Sequence, residues 1–119
     1  MHHVSVNVRE LDEAVAFYTE VLGLEVLPRP SLRVDGVWLG LPDGRQVHLI
    51  VDADHVAEVG PHFAVAVPDL DAAVAELRAR GVEVSRVVDV PTGARQCFLH
   101  DPAGNRIELH QPAPAAASA

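Results

Sequence analysis

The chain has 119 residues with 9 Lys+Arg against 17 Asp+Glu, a length that suits one compact domain or two small halves sharing a core. A net charge of −8 argues against a duplex nucleic-acid partner, because such binders neutralise phosphates with Lys and Arg. No apolar run approaches the ~18 residues of a bilayer span, and Met1-His2-His3-Val4 does not read as a signal peptide, so no membrane partner is expected.

Residues 3–8, His3-Val4-Ser5-Val6-Asn7-Val8, alternate their side chains in a Val-rich run and predict a strand. From Leu11, the apolar Ala14, Val15, Tyr18, Val21 and Leu22 follow helical spacing, with Tyr18 in the core and Gly23 as the stop. Strand-like stretches follow at roughly 24–28, 33–41 and 45–51, the last two joined by an Asp43-Gly44 turn. Residues 52–61 read as a linker, and 62–67 repeat the opening strand pattern. Asp69 is placed to cap a second helix carrying Leu70, Ala73, Val74 and Leu77, with Arg78 and Arg80 in its last turn and Gly81 after it. Strands are then predicted at 82–88, 94–100 and 105–110, with Ala103-Gly104 as a turn, and residues 112–119 read as a disordered Pro/Ala tail.

This order is one unit written twice. His3-Val4-Ser5-Val6-Asn7-Val8 aligns with His62-Phe63-Ala64-Val65-Ala66-Val67, Leu11-Asp12 with Leu70-Asp71, and Gly23-Leu24-Glu25-Val26 with Gly81-Val82-Glu83-Val84. Trp38-Leu39 then meets Phe98-Leu99, Gly44 meets Gly104, and Val47-His48-Leu49 meets Ile107-Glu108-Leu109. The reading is an α+β chain of two β-α-β-β-β modules, 1–51 and 62–111, within a single domain over 1–111.

Packing a duplicated unit about a pseudo-twofold axis brings equivalent positions together. The first strands open on His3 and His62, and the last strands carry His48 and Glu108 at matching places. Three imidazoles and a carboxylate suit a divalent ion such as Zn, Ni, Co, Fe(II) or Mn. Apolar Val47/Leu49 and Ile107/Leu109 flank His48 and Glu108, so these two point to the other sheet face. Ser5, Asn7, Gln46, Arg106 and His110 fall in phase with them and are candidates to line a substrate cavity. Trp38 and Phe98, repeat equivalents, are candidates for its walls or for the core. His2, His55 and His100 are expected on the surface, and Asp12, Glu13, Asp69 and Asp71 on solvated helix N-termini. The single Cys97 is expected to be inert and is compatible with a reducing cytoplasm, where the chain is placed.

The paired modules, the opening His3-Val4-Ser5-Val6-Asn7-Val8, the Phe17-Tyr18…Leu22-Gly23-Leu24 segment and the closing stretch from Phe98 through Asp101-Pro102-Ala103-Gly104-Asn105 to Glu108-Leu109 resemble the vicinal oxygen chelate superfamily. That group includes glyoxalase I, methylmalonyl-CoA epimerase, fosfomycin-resistance proteins, extradiol dioxygenases and bleomycin-binding proteins. The resemblance covers roughly residues 2–111 and implies curved, barrel-like mixed sheets with helices outside. It also implies a homodimer and metal ligands from the first and last strands of each module, the places of His3, His48, His62 and Glu108. The chain departs from the pattern at His48, where glyoxalases and epimerases usually carry Glu or Gln. His48 is thus open as a ligand, a base or a partner of a ligand, and Glu108 is the one carboxylate left to move a proton.

An ion with open positions can chelate two adjacent substrate oxygens and stabilise the charge that develops as a proton leaves or a nucleophile attacks. The implied function is a metal-dependent lyase, isomerase or epoxide-opening enzyme acting on a small molecule. One alternative is a protein that sequesters a ligand or antibiotic in the bleomycin-binding manner. A further one is an extradiol-type dioxygenase using His3, His62 and Glu108. The loop 28–37 and the linker 52–61 are expected to shape the substrate site.

Overall fold

The computed structural model describes residues 1–114. Its elements run β1 (His3–Val8), α1 (Leu11–Ala16), a π-helical turn (Phe17–Val21), β2 (Glu25–Leu27), β3 (Gly36–Gly40), β4 (Gln46–Val51), β5 (His62–Ala66), α2 (Leu70–Ala79), β6 (Val88–Asp89), β7 (Arg95–His100) and β8 (Arg106–Gln111). The predicted repeat of strand, helix and three strands is therefore present twice. The described residues form two compact units: Met1–Val59 with Asp101–Asn105, and Gly60–His100 with residues 106–114.

In the first unit the sheet order is β1-β4-β3-β2, with β1 parallel to β4 and the other pairs antiparallel. The register places Val4, Val47 and Leu39 in one row and Val6, Leu49 and Val37 in the next, on the face that α1 covers. Leu39, Val47, Leu49, Ala14 and Tyr18 are buried there, so Val-rich alternation supplies the core that few aromatics could. The same register gives the opposite face the rows His3, Gln46 and Gly40; Ser5, His48 and Trp38; and Asn7, Ile50 and Gly36.

The second unit repeats this with the order β5-β8-β7-β6. Phe63, Ile107 and Leu99, then Val65, Leu109 and Cys97, make the apolar rows, and α2 buries Leu70, Val74 and Leu77. The other face carries His62, Arg106 and His100; Ala64, Glu108 and Phe98; and Ala66, His110 and Gln96.

Asp69 caps α2 as the sequence predicts, accepting from the Ala72 amide at 3.1 Å. The Gln111 side chain takes the Leu70 amide at 2.8 Å, a second bond for an otherwise orphaned donor. Replacing Asp69 by Ala should lower stability by about 1 kcal/mol, measured as a shift in the urea midpoint.

The strand expected at 82–88 is reduced to Val88–Asp89. Arg78 takes the carbonyls of Val84 and Ser85 at 3.3 and 3.2 Å, removing two acceptors from a ladder. Ser85 still bonds to Phe98, but through its hydroxyl as well as its amide, both at 2.8 Å. The expected helix over 11–22 is interrupted: a π-helical turn follows Ala16, and Gly23 ends it with φ of 74°. The expected tail reaches residues 115–119, outside the described residues; 112–114 are exposed and without regular structure.

The loop between β7 and β8 is fastened into the first unit by Asp101, which is 4% exposed. Its carboxylate accepts from the Tyr18 hydroxyl at 2.8 Å, the Ala103 and Asn105 amides at 2.9 and 2.8 Å, and Asn105 Nδ2 at 2.9 Å. Burial, and then the charge of Asp101, raises the Tyr18 phenol above its ordinary value, so the hydroxyl stays a donor. Asn105 also donates to the Asn7 carbonyl at 2.8 Å, and its Oδ1 meets His55 Nε2 at 2.8 Å. His55 is thus half-buried in this network rather than a free surface group.

Candidate functional site

The polar face of the first unit carries a set of stacked rings. His48, 8% exposed at the centre of β4, has Trp38 on the neighbouring strand parallel to it, with centroids 4.4 Å apart and planes at 8°. His3 also stacks on His48, at 4.0 Å and 12°. His48 Nε2 lies 2.7 Å from Gln46 Oε1; with that oxygen accepting, Nε2 carries the hydrogen and the lone pair sits on Nδ1. Burial holds His48 below the ordinary imidazole range, and the neighbouring His3, His2 and Arg29 add to the effect. Its neutral form, the one that can ligate or accept a proton, is therefore favoured. His2, expected as a plain surface residue, is exposed but shares a 2.8 Å contact between its Nδ1 and that of His3.

In the second unit the equivalent of His48 is Glu108, also buried at 9% exposure. A buried carboxylate must find partners or become neutral, and here the partners are two imidazoles. His62 Nε2 lies 3.1 Å from Oε1 and His110 Nδ1 lies 3.0 Å from Oε2. His62 Nδ1 is 2.8 Å from the Gly60 carbonyl, which only accepts, so Nδ1 bears hydrogen. That bond turns Nε2 toward Glu108, the second-nitrogen anchorage that metal-ligating histidines use. Phe98 meets His62 edge-on at 5.4 Å, and the Arg106 guanidinium lies over the Phe98 ring at 3.7 Å.

The sheet register thus puts every residue expected in phase on these two faces: Ser5, Asn7 and Gln46 with His3 and His48, and Arg106 and His110 with His62 and Glu108. His3 meets His48, and His62 meets Glu108. No group of three or more His, Cys, Asp or Glu among the described residues is gathered closely enough to hold a metal ion. His48 favours its neutral form, the Glu108 carboxylate is held by His62 and His110, and His62 Nδ1 is anchored on the Gly60 carbonyl. Trp38 and Phe98 lie against His48 and beside Glu108 as cross-strand partners. Cys97 is buried, and burial raises its thiol above the ordinary value, which favours the thiol over the reactive thiolate. His100 is exposed, as expected.

The role of His110 as the partner that fixes Glu108 goes beyond the sequence reading, which gave it only a place along the strand. Its signal was the two-residue spacing, which sets both side chains on one face. The partnership of Asp101 with Tyr18 carried no such signal, because 83 residues separate them.

The model of the Glyoxalase/Bleomycin resistance protein/Dioxygenase superfamily matches residues 1–109. The chain is 30% identical to Glyoxylase I 4 of Arabidopsis thaliana, over 92% of this chain and 68% of that one. It is also 30% identical to a lactoylglutathione lyase of Haemophilus influenzae, over 90% of this chain and 88% of that one. Of a chloroplastic Arabidopsis thaliana relative described as a probable lactoylglutathione lyase, 28% identical over 96% of this chain, it spans 36% of the length. Among solved structures, a glyoxalase family protein from Enterococcus faecalis superposes with a TM-score of 0.78 at 28% identity, covering 92% of this chain and 95% of that one.

Proposed function

Because the chain belongs to the Glyoxalase/Bleomycin resistance protein/Dioxygenase superfamily, we propose that it is a metal-dependent lyase or isomerase of the glyoxalase kind. Its substrate is a small molecule with two adjacent oxygens. One observation carries this reading above the others. The two units bury His48 and Glu108 at equivalent strand positions, and each has an imidazole from the opening strand of its own module against it. Burying a polar ring and a carboxylate costs stability, and nothing in the core calls for either.

His3, His48, His62 and Glu108 would hold one divalent ion, and a homodimer of the chain would complete the enzyme. Bound there, such an ion would supply Lewis-acid polarisation of the substrate oxygens. Glu108 takes the proton from the carbon beside those oxygens and returns it to the adjacent carbon, so the net change is a proton shift. His110, bonded to Oε2, keeps the carboxylate oriented for that transfer, and is a positioning residue. Gln46 holds His48 in one tautomer. Trp38 and Phe98 wall the reacting groups and exclude water from them.

The test is a substrate screen on protein loaded in turn with Zn, Ni, Co, Mn and Fe(II). A hemithioacetal of glutathione and methylglyoxal, an epoxide with a thiol, and a catechol with dioxygen cover the reaction classes. Turnover of the hemithioacetal or the epoxide, abolished by chelation and restored by metal, is the expected result. Catechol cleavage alone would establish the dioxygenase instead. Tight ligand binding by metal-free protein without turnover would establish a sequestering protein.

A further inference from the structure

All nine cationic side chains are arginines, and the chain has no lysine. Most are engaged. Arg9, Arg29 and Arg78 donate to carbonyls, Arg45 pairs with Asp43, Arg95 with Asp71 and Asp89, and Arg80 also has a partner. Arg33 and Arg86 are exposed. Arg106 alone among the described arginines is half-buried yet has no hydrogen-bond acceptor and no ion pair there.

Its position is nevertheless fixed. The guanidinium carbon lies over the Phe98 ring, 3.7 Å from its centroid, a cation–π contact that uses none of its N–H donors. The register pairs the backbone of Arg106 on β8 with that of His62 on the parallel strand β5, so the two residues are neighbours on one sheet face. Glu108 stands two residues along on the same face, but His62 and His110 occupy both its oxygens. On a chain of net charge −8, the surrounding field disfavours anions. A guanidinium seated on an aromatic ring with unused donors is therefore a local exception, and its planar fork matches an oxyanion.

We propose that Arg106, held by Phe98, is the anchor for an oxyanion on the substrate, a carboxylate or a phosphoryl group a few bonds from the two adjacent oxygens. The inference rests on the proposed reading of the site and narrows its substrates to small anionic molecules. Arg106 acts in binding and selectivity, and Glu108 retains the proton transfer.

The test uses chelator-treated, isotope-labelled protein, titrated at constant ionic strength with lactate and, separately, with inorganic phosphate. NMR signals of the Arg106 side chain and of the Phe98 and Glu108 amides report binding. A saturable shift is expected with at least one probe, and the probe that gives it tells carboxylate from phosphoryl. Arg106→Gln should weaken that affinity by about 10- to 100-fold. Arg106→Lys should recover only part of it, because charge returns without the planar fork. Arg33→Gln, a charge-matched control, should leave it unchanged. Metal binding should be equal in wild type and R106Q. No saturable shift with either probe, or equal affinity in R106Q, would overturn the proposal. Because the titration needs no metal, failure of the metal assignment and failure of the anion anchor are read separately.

Discussion

Replacing Asp101 by Ala should destabilise the protein by about 3–5 kcal/mol, because four hydrogen bonds end on one buried carboxylate and each abandoned donor carries its own desolvation cost. The Tyr18 hydroxyl, fully buried, has no other acceptor among the described residues, and the Ala103 and Asn105 amides are fixed in the turn that Asp101 closes. The loss should appear as a lower urea midpoint with an unchanged slope. Tyr18→Phe removes one donor together with its share of the bond and should cost only about 1 kcal/mol. Asp101→Asn, which keeps one acceptor oxygen, should fall between the two. An Asp101→Ala variant as stable as wild type would show that the loop holds without this network.

Replacing Glu108 or His62 by Ala should abolish metal retention while the circular dichroism spectrum stays native. Glu108→Ala takes away the carboxylate that His62 and His110 meet. His62→Ala takes away the nitrogen that the Gly60 carbonyl holds in position. His110→Ala leaves the carboxylate but frees it to rotate, and a lost orienting partner of this kind costs about 10- to 100-fold in metal affinity. The direct substitutions should exceed that range, and retention of one metal per chain by both would show that the ligands lie elsewhere. Deletion of His110 separates holding Glu108 from serving as a ligand, since the first weakens metal affinity and the second removes it.

The duplicated architecture was legible because strands announce themselves with a period of two. Val4, Val6 and Val8 fix which way His3, Ser5 and Asn7 point, and Val47 and Leu49 do the same for His48. In-phase placement of Gln46, Arg106 and His110 follows from the same rule. The truncation of the expected 82–88 strand was not legible, because it depends on Arg78 reaching carbonyls six and seven residues away. Equally hidden was His55, which sits in a linker without periodicity and is drawn in by Asn105, 50 residues distant. Local pattern reports which face a side chain takes. It does not report which distant backbone group a polar side chain will satisfy.

In the proposed site three imidazoles and one carboxylate of this chain share a divalent ion. X-ray absorption spectroscopy on cobalt- or zinc-loaded protein reads that ligand set, by counting the light atoms around the metal and resolving the multiple scattering of imidazole rings. Three imidazoles and a carboxylate oxygen are predicted in wild type, with one imidazole fewer in His48→Ala. A shell of water oxygens without imidazole scattering would rule these four residues out as the ligands.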